Sequence, residues 1–327
     1  MDRRRFLLTS LAGALAVPLA AEAQQPPRVP RIGYLSEARA EAKAEQSRVA
    51  AFQQGLRQLG YVEGKDIIVE QRHAAGRVER LPELAAELVR LKVDVLVVSG
   101  RIDLVTNVTG TIPIVMPNHA DPVGVGLVAS LARPGGNITG LSDQHGATPG
   151  KRLQLLKEAV PSMSRVAVLW NPGRPIALPQ LKGLQAAAPA LGITLLSLQV
   201  RGADDLATAF GMIRTERSEG VLLIAEPTMS RLVPRIAEFA VKSRLPTIGT
   251  TRSFAEDGLL MAYGANFDDL WRRSAAYVDK ILKGANPGDL PIEQANKWDL
   301  VINFKTARAL GLTIPPSLLL RADQVIE

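Results

Sequence analysis

Short apolar segments alternate with longer amphipathic segments along most of the chain. The apolar segments are five or six residues long, which is typical of strands that are buried on both faces. They are residues 31–35, 93–98, 112–116, 165–170 and 221–225. The segments between them, such as 41–59 and 79–91, repeat their apolar residues at helical spacing. Strands that alternate with helices in this way predict a doubly wound, parallel α/β sheet.

The same rhythm occurs in both halves of the chain, which predicts two lobes. With 327 residues, the chain is longer than one typical domain. We expect residues 24–144 to form the first lobe and residues 145–267 the second, with residues 268–295 returning to the first. The pattern does not assign residues 296–327 to either lobe. Two such lobes enclose a cleft, which is a favoured position for a ligand.

The stretch from residue 112 to residue 142 is where we expect function to lie. A strand at 112–116 runs into a polar loop at 117–122, and a second strand follows at 138–141. The residues between them, Val125–Leu131, predict a short helix. Ligands of open α/β sheets bind outside the carboxyl ends of parallel strands, and this stretch supplies two such ends.

The first 23 residues have the pattern of a signal peptide. Arg3–Leu7 matches the twin-arginine pattern R-R-x-F-L, and Ala21–Ala23 matches the cleavage motif A-x-A. The apolar stretch between them is interrupted by Gly13 and Pro18 and is too short to span a membrane. We therefore expect export to the periplasm and removal of residues 1–23. An ordinary secretory signal with a basic start is the alternative to the twin-arginine route.

Composition and motifs favour binding over catalysis. The chain has no cysteine, which excludes disulfides and thiolate chemistry, and its three histidines lack metal-ligand spacing. The motifs G-x-S-x-G and H-E-x-x-H and the Walker A loop are absent. Gly124–Ala129 matches the dinucleotide pattern G-x-G-x-x-A, but a true fingerprint directly follows the first strand, whereas this segment follows the fourth. We therefore expect no enzyme activity, no cofactor and no metal.

The basic character of the chain does not indicate a nucleic-acid partner. The formal net charge is +7. However, basic residues alternate with acidic ones along the predicted helices, and no basic run follows the signal peptide. This distribution is typical of a solvated surface, so we expect no nucleic acid among the partners.

Small polar residues follow the predicted strands and form the candidate ligand site. Such loops expose hydroxyl, carboxylate and backbone N–H groups, and helix N-termini behind them favour a ligand carboxylate. Asp121 and Glu226 could accept an amino group, or each could instead be a helix cap or turn former. The candidate residues are Ser36, Ser99, Gly100, Asn118, Asp121 and Asp143 in the first lobe, and Asn171, Glu226, Thr228, Thr250 and Tyr263 in the second.

Two further side chains have alternative interpretations. His119 lies in the loop before Asp121, where it either contacts ligand or caps backbone groups. Trp170 alternates in phase with Val166 and Val168 on one strand face, which favours packing in the core over stacking on an aromatic ligand.

Several segments resemble one bacterial family. Pro113–Gly140 contains DPVG, VASLA and RPGGNITG, and it resembles the signature of ABC-transporter substrate-binding proteins often labelled as tryptophan/tyrosine uptake components. Further segments that match are residues 85–100, 155–172, 277–294 and 300–327. The resemblance implies the type I periplasmic-binding fold, with crossings between the lobes near Asp143, Asn266 and Asn296. It also implies a cleft or hinge role for Tyr263.

The resemblance implies a function as well as a fold. It implies an exported protein that captures a small molecule, by the family label an aromatic amino acid, and delivers it to an ABC permease in the inner membrane. A ligand sensor that passes its closed form to a membrane receptor would have the same sequence features. An enzyme on the same scaffold is the third hypothesis, and no paired nucleophile and base supports it.

Overall fold

The computed structural model describes residues 28–143, 148–174, 176–224 and 226–327. The predicted signal peptide lies outside these residues, as do Gln144 and His145 at the end of the central stretch. The described residues form two sheets covered by helices, and the predicted two-lobed α/β fold is confirmed. None of the described helices has the length and apolarity needed to span a membrane.

Six strands of the described chain form the sheet of the first lobe. They are β1 (Arg31–Ser36), β2 (Ile68–His73), β3 (Val95–Ser99), β4 (Ile114–Met116), β5 (Ile138–Ser142) and β11 (Glu293–Gln294). All neighbouring pairs are parallel, in the order β11-β5-β4-β3-β1-β2. The carboxyl ends of β1, β3 and β4 therefore lie at one edge of the sheet.

Seven strands of the described chain form the sheet of the second lobe. They are β6 (Arg165–Trp170), β7 (Thr194–Gln199), β8 (Gly220–Leu223), β9 (Thr247–Gly249), β10 (Met261–Ala265), β12 (Trp298–Asn303) and β13 (Gln324–Ile326). Their order is β13-β12-β10-β9-β8-β6-β7, and all pairs are parallel except β10 with β12. Residues 296–327, which the sequence left unassigned, thus supply two strands to the second sheet.

The helices follow the predicted alternation. They are α1 (Lys43–Gln58), α2 (Leu81–Arg90), α3 (Pro149–Ala159), α4 (Ala177–Ala187), α5 (Asp205–Thr215), α6 (Pro227–Lys242), α7 (Arg252–Glu256), α8 (Phe267–Leu282), α9 (Phe304–Leu310) and α10 (Pro316–Leu319). They cover both faces of each sheet, so that every sheet separates two apolar clusters. Alternation along β6 shows this separation, because Trp170 packs in one cluster and Leu169 in the other. Trp170 is therefore a core residue, as its spacing predicted.

Three segments pass between the lobes. The chain leaves β5 of the first sheet at Asp143 and enters α3 of the second lobe at Pro149. It returns at Asn266, between β10 of the second sheet and α8, which packs in the first-lobe core. It crosses again at residues 295–297, between β11 and β12.

The returning helix α8 is held firmly against α1. Trp271 of α8 is buried, and its indole N–H donates to the Tyr34 hydroxyl at 2.9 Å. Ser47 of α1 donates to the Asp268 carboxylate at 2.9 Å. The helices approach so closely that a Cβ atom at Gly55 would lie 2.3 Å from the carbonyl oxygen of Arg272. The first lobe is therefore completed by a segment more than 200 residues away in sequence.

The helix predicted at Val125–Leu131 is wrong. This segment is a series of turns, in which the backbone N–H groups of Leu127 and Val128 both donate to the Pro122 carbonyl instead of forming helical bonds. Gly126 has φ +74°, a left-handed conformation that interrupts a right-handed helix. Glycine at this position costs helix stability, and the short apolar pattern was not enough to offset it.

Candidate functional site

Charged residues of both lobes meet where the strand ends face each other. Glu37 follows β1 of the first lobe, while Arg174 and Glu226 follow β6 and β8 of the second. The Arg174 Nη2 atom lies 3.5 Å from Glu37 Oε1, and its Nε lies 3.2 Å from Glu226 Oε2. Arg174 thus connects two carboxylates on opposite sides of the cleft. We call Glu37, Arg174 and Glu226 the interlobe cluster.

The interlobe cluster is largely excluded from solvent. Glu37 and Glu226 are each 6 % exposed, and the Arg174 side chain is 17 % exposed. Burial raises the pKa of the Glu37 carboxyl above its usual value, and the opposing effect of Arg174 is smaller. A buried carboxylate and a largely buried guanidinium therefore face each other between the lobes, where partial removal from water strengthens their interactions with a polar ligand.

Glu226 has a structural role in addition to its position in the cleft. Its carboxylate accepts the backbone N–H groups of Thr228 at 2.9 Å and Met229 at 2.6 Å, so it is the N-cap of α6. Both oxygens are engaged, and one of them also holds Arg174. Of the two roles predicted for Glu226, the structure therefore shows the helix cap. Thr228 takes part in this cap through its backbone N–H group.

Two more arginines lie near Glu37. Arg101, in the loop after β3, forms a salt bridge with Asp103 at 2.6 Å. Arg231 of α6 reaches across the cleft, because its Nη1 atom would lie 3.1 Å from a Cβ atom at Gly76 in the first lobe. Both guanidinium groups favour the ionised form of Glu37 and counteract the increase in its pKa.

The other predicted residues of the first lobe lie around the same sheet edge. The Ser36 hydroxyl accepts the Ala38 N–H at 3.1 Å. The Ser99 carbonyl accepts the Glu37 N–H at 3.1 Å. Gly100 has φ +113°, and a Cβ atom there would lie 2.8 Å from Glu37 Oε2. Only glycine allows the β3 loop to pack this closely against the Glu37 carboxylate.

Asn118, Asp121 and Asp143 lie near the first crossing. The Asn118 amide donates to the Asp143 carboxylate at 2.8 Å, which joins the loop after β4 to the end of β5. Asp121 is exposed, and its carboxylate accepts the Gly124 N–H at 2.7 Å, as expected of a turn former. His119 Nδ1 accepts the Asp121 N–H at 3.1 Å, and burial lowers the pKa of His119. The structure shows a backbone cap for His119, and a ligand contact of Asp121 stays a prediction.

The remaining predicted residues belong to the second lobe. The Asn171 amide oxygen accepts the Gly173 N–H at 2.9 Å, which shapes the loop that carries Arg174. Thr250 is 2 % exposed, and its hydroxyl has no hydrogen-bond partner among the described residues. Tyr263 stacks on Trp298 at 6.2 Å between ring centroids, within the second sheet. Ligand contacts of these three residues also stay predictions.

A cavity of about 390 Å³ opens between the lobes beside the second crossing. None of the predicted residues lines it. Its polar lining groups are largely paired with one another: Arg252 binds Glu256 at 2.6 Å, and Asn266 binds Asp299 at 2.7 Å. The interlobe cluster is the stronger candidate, because it brings largely buried charged groups from both lobes together at the carboxyl ends of the strands.

Comparison with known proteins identifies the family. The family model for ABC transporter substrate binding proteins matches residues 39–326. This chain belongs to that family. The resemblance found in the sequence is thereby confirmed.

Solved structures agree with the family and with the type I periplasmic-binding fold. A conserved domain protein from Vibrio cholerae is 30% identical, with a TM-score of 0.82 and coverage of 91% of this chain and 100% of that one. An ABC domain in complex with L-Trp from Streptococcus pneumoniae is 25% identical, with the same TM-score and coverage of 91% and 99%. A relative compared by sequence alone is the tyrosine-binding protein of Clostridioides difficile. It is 24% identical over 266 residues, which are 80% of this chain and 75% of that protein.

Arg174 and Glu37, two of the three residues of the interlobe cluster, were not among the site residues predicted from the sequence. Arg174 lies in the loop after β6 and Glu37 directly after β1, and neither residue belongs to a motif. Their relation depends on the pairing of residues 137 positions apart in sequence. The one local signal was that both follow the carboxyl ends of predicted strands, where α/β proteins bind their ligands.

Proposed function

We propose that this substrate-binding protein captures an aromatic amino acid between its lobes and delivers it to an ABC permease. The observation that carries the proposal is the interlobe cluster, in which Arg174 is paired with carboxylates of both lobes. A ligand can favour lobe closure only through contacts that differ between the open and closed states. Groups of both charge signs at this boundary can provide such contacts to the two charged ends of an amino acid.

The relatives support an aromatic side chain on that amino acid. One of them is named a tyrosine-binding protein, and another was solved with L-Trp. Both relatives cover most of this chain, so the comparison includes both lobes and the cleft between them. L-tryptophan and L-tyrosine are therefore the first ligands to test.

The remaining parts of the proposal concern location and partner. The twin-arginine and A-x-A patterns of residues 1–23 support export to the periplasm. The family name supports an ABC permease as the partner that receives the ligand. Binding without chemistry is supported by the family and by the lack of catalytic motifs in the sequence. A small molecule is accordingly the substrate that is carried rather than converted.

Two measurements test the proposal. Native mass spectrometry of protein purified from the periplasm should detect a bound aromatic amino acid. Calorimetry after its removal should give saturable binding of L-tryptophan or L-tyrosine, with L-lysine and D-ribose as controls. Binding of either control in preference to both aromatic amino acids would contradict the proposed ligand class.

A transport assay separates delivery from sensing. Cells that lack this protein should take up the radiolabelled ligand more slowly, and a plasmid copy should restore uptake. Normal uptake in the deletion strain, together with tight binding in vitro, would support the sensor hypothesis instead.

A further inference from the structure

We propose that the Glu37 carboxylate binds the protonated amino group of the ligand, and that Arg174 moves away from Glu37 when the ligand binds. We call the Glu37 carboxylate in this role the seat. The inference rests on the proposed function, since it concerns the same cleft. It explains why the ligand should carry an ammonium group and a carboxylate close together, as α-amino acids do. Simple amines and simple carboxylic acids of the same shape should bind worse.

Glu37 is held rigidly at the edge of the first lobe. Its backbone N–H donates to Ser99 at 3.1 Å, and its carbonyl accepts the Gly76 N–H at 2.7 Å. The residue is 6 % exposed, and Gly100 packs directly against its side chain. A ligand group that reached this carboxylate would therefore meet a preorganised acceptor that has already lost most of its contact with water.

The Glu37 carboxylate has far more acceptor capacity than its contacts use. An ionised carboxylate offers about four acceptor positions. Among the described residues, its one hydrogen bond comes from Arg174 at 3.5 Å, which is the outer limit for such a bond. Buried carboxylates normally accept several shorter bonds. An ammonium group, which has three N–H donors in a compact head, would supply them.

Arg174 can release Glu37 without losing its own counter-charge. Its Nε remains 3.2 Å from Glu226, and the N-terminus of α6 fixes that carboxylate in place. The Nη2 group that leaves Glu37 is then available to a ligand carboxylate, a group whose shape matches the planar guanidinium fork. The structure thus provides one lobe for the ammonium group and the other for the carboxylate.

The local charges also favour a neutral zwitterion. The residues around the seat carry equal numbers of positive and negative charges. They are Arg101, Arg174 and Arg231 against Glu37, Asp103 and Glu226. A zwitterion enters this balanced group without leaving a buried charge unpaired, whereas an amine or a carboxylate alone would unbalance it.

Calorimetry with three related ligands tests the seat. Wild-type protein, Glu37→Gln and the exposed control Glu41→Gln would be titrated with L-tryptophan, with tryptamine and with indole-3-propionate. Loss of a hydrogen bond to a charged group should weaken L-tryptophan binding roughly ten- to a hundredfold in Glu37→Gln. Binding of indole-3-propionate, which has no amino group, should not weaken, because its carboxylate does not contact Glu37 and no longer unbalances the local charges. The control should match the wild type with all three ligands.

A second variant separates charge from fold. Glu37→Asp keeps the charge on a shorter side chain, so it should retain part of the preference for L-tryptophan over indole-3-propionate. Thermal melting of each variant without ligand would show that both lobes are folded. An equal loss of affinity for all three ligands in Glu37→Gln would mean general damage to the cleft and would overturn the assignment.

The outcomes for the seat and for the proposed function are distinct. L-tryptophan binding that is unaffected by Glu37→Gln would overturn the seat and leave the function intact. Binding of amines alone, lost in Glu37→Gln, would support the seat and contradict the amino-acid function. Failure of the wild type to bind any of the twenty L-amino acids or the corresponding primary amines would overturn both.

Discussion

At the scale of single residues, the two carboxylates of the interlobe cluster have different structural roles. Glu226 accepts two backbone N–H groups and anchors Arg174, whereas Glu37 makes one long contact and has unused acceptor capacity. Both are equally buried and both follow a strand. The difference comes from the residues behind them, since a helix begins directly after Glu226, while several loop residues separate Glu37 from α1.

Glu226→Ala should lower the stability of the protein even without ligand. The change removes the cap of α6, and loss of a cap typically costs about 0.5–2 kcal/mol. It also deprives the half-buried Arg174 of its closer partner. Chemical denaturation would measure the loss. Glu238→Ala, at an exposed position on the same helix where the side chain pairs with Lys242, should change stability little.

Glu37→Gln should have the opposite effect on stability at neutral pH. Because burial raises the pKa of Glu37 in the folded protein, the folded state binds the proton more tightly than the unfolded state. The wild type therefore gains stability as the pH falls through this raised pKa. Above this pKa the buried carboxyl group is ionised, which lowers the free energy of unfolding. The uncharged variant should melt higher than the wild type at pH 7, and the difference should shrink toward pH 4. A constant difference across this range would show that ionisation is not the cause.

At the scale of secondary structure, the sequence pattern was most informative where the strands are buried on both faces. The strand predicted at 165–170 has the same bounds as β6. Strands β11 and β13 have only two and three residues, and they gave no periodic signal. The antiparallel pairing of β10 with β12 was also beyond the pattern, because it depends on where a distant segment docks. For the same reason, the sequence predicted which strand ends surround the candidate site but not the contact between Glu37 and Arg174.

The close packing of α1 against α8 makes Gly55 a sensitive position. A methyl group there would lie 2.3 Å from the Arg272 carbonyl and 2.8 Å from the Ala275 side chain. Gly55→Ala should destabilise the protein by about 1–3 kcal/mol, as overpacking usually does. Gly211 on α5 has no atom within 4 Å of its added Cβ, so Gly211→Ala should instead stabilise by about 0.5–1 kcal/mol. Denaturation curves would measure both changes. A Gly55→Ala variant as stable as the wild type would contradict the close approach of α1 and α8, and Gly211→Ala is the control for the gain in helix propensity.

At the scale of the whole molecule, the two lobes communicate through three crossings and the interlobe cluster. The crossings permit a hinge motion, and the cluster places charged groups where that motion brings the lobes together. Closure therefore depends on residues that belong to neither core.

Export should depend on the two N-terminal arginines acting as a pair. Replacing Arg3 and Arg4 together by lysine should leave precursor in the cytoplasm, because lysine keeps the charge but changes the twin-arginine pattern. Arg5→Lys, which leaves the pair intact, is the matched control. Immunoblots of periplasmic fractions would measure the outcome. Full periplasmic yield of the double variant would indicate the ordinary secretory route.

The docking of α8 and β12 also determines when the protein can fold. Tyr34 meets Trp271 across 237 positions, so the first lobe stays incomplete until most of the chain has left the ribosome. The sheet of the second lobe is completed later still, because its edge strand β13 ends at Ile326. Both lobes thus depend on contacts between distant parts of the chain, and such contacts slow folding. Until α8 docks, the apolar residues that pack around Trp271 lack their partners, and exposed apolar surface of this kind favours aggregation.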